Sequence, residues 1–82
     1  MLTAKDIFVK LTQLDKHQTL ECYNSDTKVF SIEYKDTSRY KYKMRVYTDS
    51  NKPTIIRQPS AIACAEYYKQ HNLVAHTDTV TG

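Results

Sequence analysis

Apolar and polar residues alternate through two central stretches of the chain. From Thr27 to Lys35, Phe30, Ile32 and Tyr34 alternate with Ser31, Glu33 and Lys35; from Tyr40 to Tyr47, Tyr40, Tyr42, Met44 and Val46 alternate with Lys41, Lys43, Arg45 and Tyr47. A period of two puts successive side chains on opposite faces of a strand, so both stretches predict half-buried strands with even-numbered residues inward. Two facing apolar rows also predict a register, because a one-residue slip would turn a whole strand over. A loop of Asp36, Thr37 and Ser38 would set Lys35 opposite Arg39, Glu33 opposite Lys41, Tyr34 opposite Tyr40, Ile32 opposite Tyr42 and Phe30 opposite Met44.

A helical period flanks this hairpin on each side. Ile7, Phe8, Leu11 and Leu14 recur at i, i+1, i+4 and i+7 behind Thr3 and Asp6, which predicts a capped helix from about Ala4 to about Asp15. Ser60 can cap a second helix running to about His71, whose Ala61, Cys64, Ala65 and Tyr68 form a narrow stripe suited to lying close on a sheet. A first strand is expected from Thr19 to Tyr23. Asn24, Ser25 and Asp26 then form a turn, since their side chains bond local backbone and tolerate a left-handed conformation. Asp49 to Pro53 reads as a second polar turn before a short fourth strand, Thr54 to Arg57.

The expected fold class is α+β: helix, a three- or four-stranded antiparallel meander, then helix, with both helices on one face of the sheet. Residues 1–72 form this single domain. Residues 73–82, rich in Thr and without a period, are expected to be a loosely ordered tail.

Composition removes many chemistries. The only glycine is Gly82, so no P-loop, dinucleotide fingerprint or nucleophile elbow is present. No apolar run approaches the roughly 20 residues that span a bilayer, and the N-terminus lacks the apolar segment of a secretory signal, so a cytoplasmic protein is expected. Cys22 and Cys64 are too far apart for a Cys-x-x-Cys site and read as small buried hydrophobes in a reducing compartment. His17 and His71 are expected at helix C-termini, where a cation suits the macrodipole, and His76 falls in the tail; none joins a recognisable motif. Asp26, Asp36 and Asp49 sit in turns, while Glu21 and Glu33 belong to outer strand faces, so no acid-base pair can be picked out. No enzyme, metal site or cofactor is expected.

Charge is distributed unevenly. Residues 35–57 hold Lys35, Arg39, Lys41, Lys43, Arg45, Lys52 and Arg57 against Asp36 and Asp49, whereas the rest of the chain has five basic and seven acidic residues. All the net positive charge of +3 therefore lies in the central hairpin region. Two functional readings follow. In the leading one, the chain is a small non-enzymatic regulator that binds another protein through Arg45, Tyr47 and Tyr67, because its seven tyrosines exceed what so small a core can hide. In the alternative, Lys41, Lys43, Arg45 and Tyr47 form a nucleic-acid platform on which cations track phosphates and an aromatic ring stacks on a base. Lysines on an outer sheet face also serve solubility and block edge pairing.

The order helix, three strands, helix resembles the double-stranded RNA-binding domain in topology. That family opens its second helix with glycine and clustered lysines, whereas this chain reads Pro59-Ser60-Ala61-Ile62-Ala63-Cys64. The alternation from Tyr40 to Tyr47, followed by a turn, a strand and an Ala-rich helix, is similar to the arm-binding domain of phage integrases. The whole chain also resembles the small Lys-, Tyr- and Thr-rich accessory proteins of large tailed phages, in length and cast closest to the lysis-inhibition accessory type of T-even-type phages. That resemblance implies a cytoplasmic protein that binds the cytoplasmic segment of a holin and delays lysis; it carries no site residues across.

Overall fold

The structure, a computed structural model, describes residues 1–47 and 52–82. In chain order the elements are α1 (Ala4–Thr12), β1 (Thr19–Asn24), β2 (Thr27–Tyr34), β3 (Tyr42–Val46), β4 (Thr54–Gln58), α2 (Ala61–Gln70) and β5 (Thr77–Thr81). Every strand pairing is antiparallel, and the order across the sheet is β4-β3-β2-β1-β5. The class is α+β as expected, with five strands instead of three or four.

Thr3 and Asp6 begin α1 with a reciprocal capping box: the Thr3 N–H donates to Asp6 Oδ2 at 2.8 Å and the Asp6 N–H to Thr3 Oγ1 at 3.1 Å. The helix stops at Thr12, one turn before the expected end. The Thr12 hydroxyl donates back to the Val9 carbonyl at 2.6 Å, the Gln13 and Leu14 N–H groups make tight bonds to Lys10 and Leu11, and the Gln18 side chain takes the Asp15 N–H. Side-chain bonds of this kind compete with the helical ladder and unwind its end. Leu14 still reaches the core, and His17 sits at φ 73° in a left-handed turn instead of at a helix end.

The β1–β2 hairpin turns at Ser25 and Asp26, with Ser25 at φ 55° in the left-handed role that its sequence suggested. Next to the turn the register shifts: Cys22 faces Phe30 but Tyr23 faces Lys28. The extra residue is a β-bulge, and it has a chemical consequence. Without it Lys28 would share the inner face with Phe30; with it the ammonium reaches the outer face and Glu21 at 2.7 Å.

Between β2 and β3 the even-numbered faces meet as expected, but the register is two residues away from the expected one. Tyr34 faces Tyr42, Ile32 faces Met44, Phe30 faces Val46, and on the outer face Glu33 faces Lys43 and Ser31 faces Arg45. The loop is longer because its own bonds compete with the ladder. The Lys35 and Asp36 N–H groups both donate to the Lys41 carbonyl, Thr37 and Tyr40 exchange backbone and hydroxyl bonds, and Asp36 lies at φ 52°. Tyr40 and Lys41 thus become loop residues. β4 forms as expected, with Met44 opposite Ile56 and Lys43 opposite Arg57; Asp49, Ser50 and Asn51 of the expected second turn lie outside the described residues.

The core is built on the inner face. Leu20, Cys22, Phe30, Ile32, Tyr42, Met44 and Val46 from the strands join Ile7 and Leu11 of α1, Cys64 and Tyr68 of α2, Leu14 and Ala75 in one buried cluster. Residues of both helices therefore cover the same face. Ser60 caps α2, its Oγ accepting from the Ala63 N–H at 3.1 Å, and His71 is the C-cap.

The expected loose tail is instead an edge strand. β5 pairs with β1 from Thr77 opposite Tyr23 to Thr81 opposite Thr19, and Asp78 reaches Lys10 of α1 at 3.0 Å. The segment is tied down before the strand begins, since the Leu2 N–H donates to the Ala75 carbonyl at 2.8 Å and the His76 N–H to that of Tyr23 at 2.8 Å. Its alternating, β-branched threonines suit a strand that buries little and covers the open side of β1.

Candidate functional site

Two surfaces invite recognition, one on each side of the sheet. Among the described residues no helix covers the outer face. Its middle row runs Ile55, Arg45, Ser31, Glu21 and Thr79 across the five strands, and the next row runs Arg57, Lys43, Glu33, Thr19 and Thr81. Charge is largely self-paired here: Glu33 lies 3.7 Å from Arg45 and 3.8 Å from Lys35, and Glu21 holds Lys28, whose pKa that bond raises. The Lys28 ammonium also stands 5.5 Å from the centre of the Tyr47 ring. Tyr47 is thus partly occupied by a cation of its own chain.

Of the residues the sequence singled out, Arg45, Tyr47 and Lys43 share this face. Lys41 does not join their row: it belongs to the β2–β3 loop and binds Asp36 at 2.6 Å, a bond that raises the Lys41 pKa and lowers that of Asp36. Tyr67 is on the other side of the sheet, in the helix layer, partly buried and stacked on His71 with ring centres 3.7 Å apart. Arg45, Tyr47 and Tyr67 therefore do not make one surface. They are held apart because α2 packs against the inner face while the odd-numbered residues of β3 point outward.

The second surface is apolar. Between the start of α1 and the outward side of α2 lie two recesses of about 460 and 300 Å³, which meet at Ala4, Lys5 and Lys69. Met1, Leu2, Leu73 and Val74 line the first; Phe8, Ile62 and Ala65 line the second. Met1 is 73% exposed and Ile62 57% exposed, high values for side chains of this size. Ala4 and Ala65 keep the groove floor low, and Lys5, Lys69 and Glu66 stand among the lining residues. Phe8 is one of the apolar positions that predict α1, whereas the period that predicts α2 does not single out Ile62 as a lining residue. A signal was available, because Ile62 falls off the Ala61, Cys64, Ala65, Tyr68 stripe and is the one large aliphatic side chain of its helix.

Reactive groups are held inactive. Cys22 and Cys64 are fully buried, and burial pushes both thiols up to about 12, so neither is a thiolate at neutral pH. Among the described residues no cluster of three or more His, Cys, Asp or Glu side chains is placed to hold a metal ion. No described helix is long and apolar enough to cross a membrane. Comparison with known proteins finds no family model, no curated protein and no solved structure that matches this chain.

Proposed function

We propose that this chain is a small non-enzymatic regulatory protein of the cytoplasm that acts by binding a segment of another protein in the groove between α1 and α2. The apolar lining that runs from Met1 and Val74 to Phe8 and Ile62, with Met1, Ile62 and Val74 exposed, carries the reading. Lys5 and Lys69, where the two recesses meet, select the occupant: an amphipathic segment with an apolar stripe for the groove and a carboxylate for the ammonium groups. The likeness to phage lysis-inhibition accessory proteins makes the cytoplasmic segment of a holin the first such partner to try. Occupying that segment would delay lysis by keeping it from its own assembly contacts.

The test is a titration of isotope-labelled protein with a peptide of that segment, read by amide chemical shifts. Shifts should cluster at Leu2, Lys5, Phe8, Ile62 and Lys69. Full burial of an isoleucine side chain contributes roughly 1.5–3 kcal/mol, so Ile62→Asp should weaken binding by about tenfold or more. Arg45→Ala, on the opposite side of the sheet, should leave the affinity unchanged. An Ile62→Asp variant that folds and binds as wild type would overturn the groove as the interface.

A further inference from the structure

At the β4 edge of the sheet a third recess, of about 420 Å³, is lined by Arg39, Tyr40, Arg57 and Pro59. It lies apart from the groove between the helices and shares no residue with it. Two guanidinium groups line this recess, with no carboxylate among its described lining residues. Neither arginine takes part in an ion pair among the described residues, and Asp36, the acid in the same loop, is held by Lys41.

The recess is built by the loop bonds that lengthened the β2–β3 connection. Thr37 Oγ1 accepts from the Tyr40 N–H at 3.1 Å and donates to the Tyr40 carbonyl at 2.7 Å, which fixes the tyrosine backbone. The next residue, Lys41, donates its N–H to the Gln58 carbonyl at 3.1 Å and so ties the loop to the strand that carries Arg57. The Arg57 guanidinium then lies 5.7 Å from the centre of the Tyr40 ring. An aromatic face orients a guanidinium while leaving its edge donors free for an anion.

Two further features add positive potential. Pro59 lines the recess, and the following residue caps α2, whose first turn contains no acidic side chain to offset the helix dipole. On the outer face Lys43 lies directly opposite Arg57, so the cations continue from the recess onto β3.

We propose that Arg39, Tyr40 and Arg57 form a binding site for a backbone phosphate of single-stranded nucleic acid, with Lys43 receiving the next phosphate along the strand. Planar guanidinium forks match phosphate oxygens in pairs, and a second cation one strand away suits a chain of phosphates better than an isolated one. The site is independent of the protein-binding groove, so either can fail without the other.

The test is a titration of the full chain with a short single-stranded oligothymidylate at several salt concentrations, beside inorganic phosphate and a phosphoserine peptide. Amide and guanidinium shifts should centre on Arg39, Tyr40, Arg57 and Lys43, and affinity should fall linearly with the logarithm of salt. On single strands each neutralised phosphate contributes roughly 0.7 to that slope, so Arg39→Ala with Arg57→Ala, which empties the site of its one phosphate, should lower it by about 0.7 and weaken binding at least tenfold. Lysine at both positions keeps the charge and loses the forks, and should retain the slope with weaker binding. Both arginines are exposed, and circular dichroism checks that the variants fold. No binding at low salt, an alanine double variant that binds with unchanged slope, or binding of the phosphopeptide alone would overturn the proposal.

Discussion

The most telling perturbation removes one oxygen atom, in Tyr68→Phe. The Tyr68 hydroxyl donates to the Leu2 carbonyl at 2.6 Å and accepts from the Ala75 N–H at 3.2 Å, while the Leu2 N–H closes the ring onto the Ala75 carbonyl at 2.8 Å. That oxygen joins the N-terminal segment, α2 and the approach to β5. Phenylalanine keeps the ring beside Phe30, at 5.4 Å between centres, so the change isolates the hydrogen bonds from the packing. Ala75 is fully buried, and its N–H would be left without an acceptor, at a cost of about 1–3 kcal/mol. Taking about 2 kcal/mol, and about 4–8 °C per kcal/mol for a domain of this size, Tm should fall by roughly 8–16 °C.

Tyr42→Phe is the control. Its hydroxyl donates to the Leu11 carbonyl at 3.3 Å, but that oxygen also accepts from the Leu14 N–H, so nothing buried is left unpaired. Its cost should stay under about 1 kcal/mol. Urea unfolding of both variants at 25 °C, followed by circular dichroism, gives the comparison. A Tyr68→Phe variant within about 0.5 kcal/mol of wild type, or two variants equally destabilised, would refute the argument that the orphaned N–H dominates.

Three further outcomes follow from single groups. Ser60→Ala removes the cap of α2 and should lower stability by about 1 kcal/mol in the same urea assay. Asp6 is held below its ordinary 3.8 first by the Thr3 backbone N–H and then by the Thr3 side chain. A depressed folded pKa gives stability that is complete above the ordinary value and lost as pH falls through the folded one, so the deficit of Asp6→Asn should shrink on acidification below about pH 4. A deficit constant with pH would show that the carboxylate charge is not what stabilises the cap. With both thiols fully buried and pushed up to about 12, a thiol reagent at mildly alkaline pH should label Cys22 and Cys64 only after urea is added; rapid labelling of the native chain would contradict their burial.

The parts of the fold that the sequence disclosed are those fixed by side-chain period. The even-numbered faces of β2 and β3, the box at Thr3 and Asp6, the Ser60 cap and the Cys64, Ala65, Tyr68 stripe all follow from patterns repeated over several residues. Register depends on something else. A shift of two residues preserves which side chains face inward, so the alternation of Tyr40, Tyr42, Met44 and Val46 allows either pairing equally. What decided between them was a set of short-range bonds at Asp36, Thr37, Tyr40 and Lys41, which the period does not encode. The same limit applies at β5, where Thr77 to Thr81 bury little and carry no strong hydrophobic signal; backbone pairing with β1 and the Lys10–Asp78 bridge make the strand.

Recognition surfaces were hidden for a related reason. Sequence counts suggest surplus tyrosine and a basic hairpin, but no tyrosine is fully exposed, and a surface is formed by residues brought together from different elements. Tyr67 is separated from Arg45 and Tyr47 by the sheet, whereas Met1, Phe8, Ile62 and Val74, scattered along the chain, line one groove. Arg39 and Arg57 likewise come from different elements, and they meet where the β3–β4 pairing and the Lys41–Gln58 bond bring the β2–β3 loop against β4. The two-residue register shift that moved Lys41 out of the cationic row is therefore the event that built the arginine recess. A variant that shortens this loop to the three residues expected from periodicity would keep the core faces intact and should abolish oligonucleotide binding, while peptide binding in the helix groove persists.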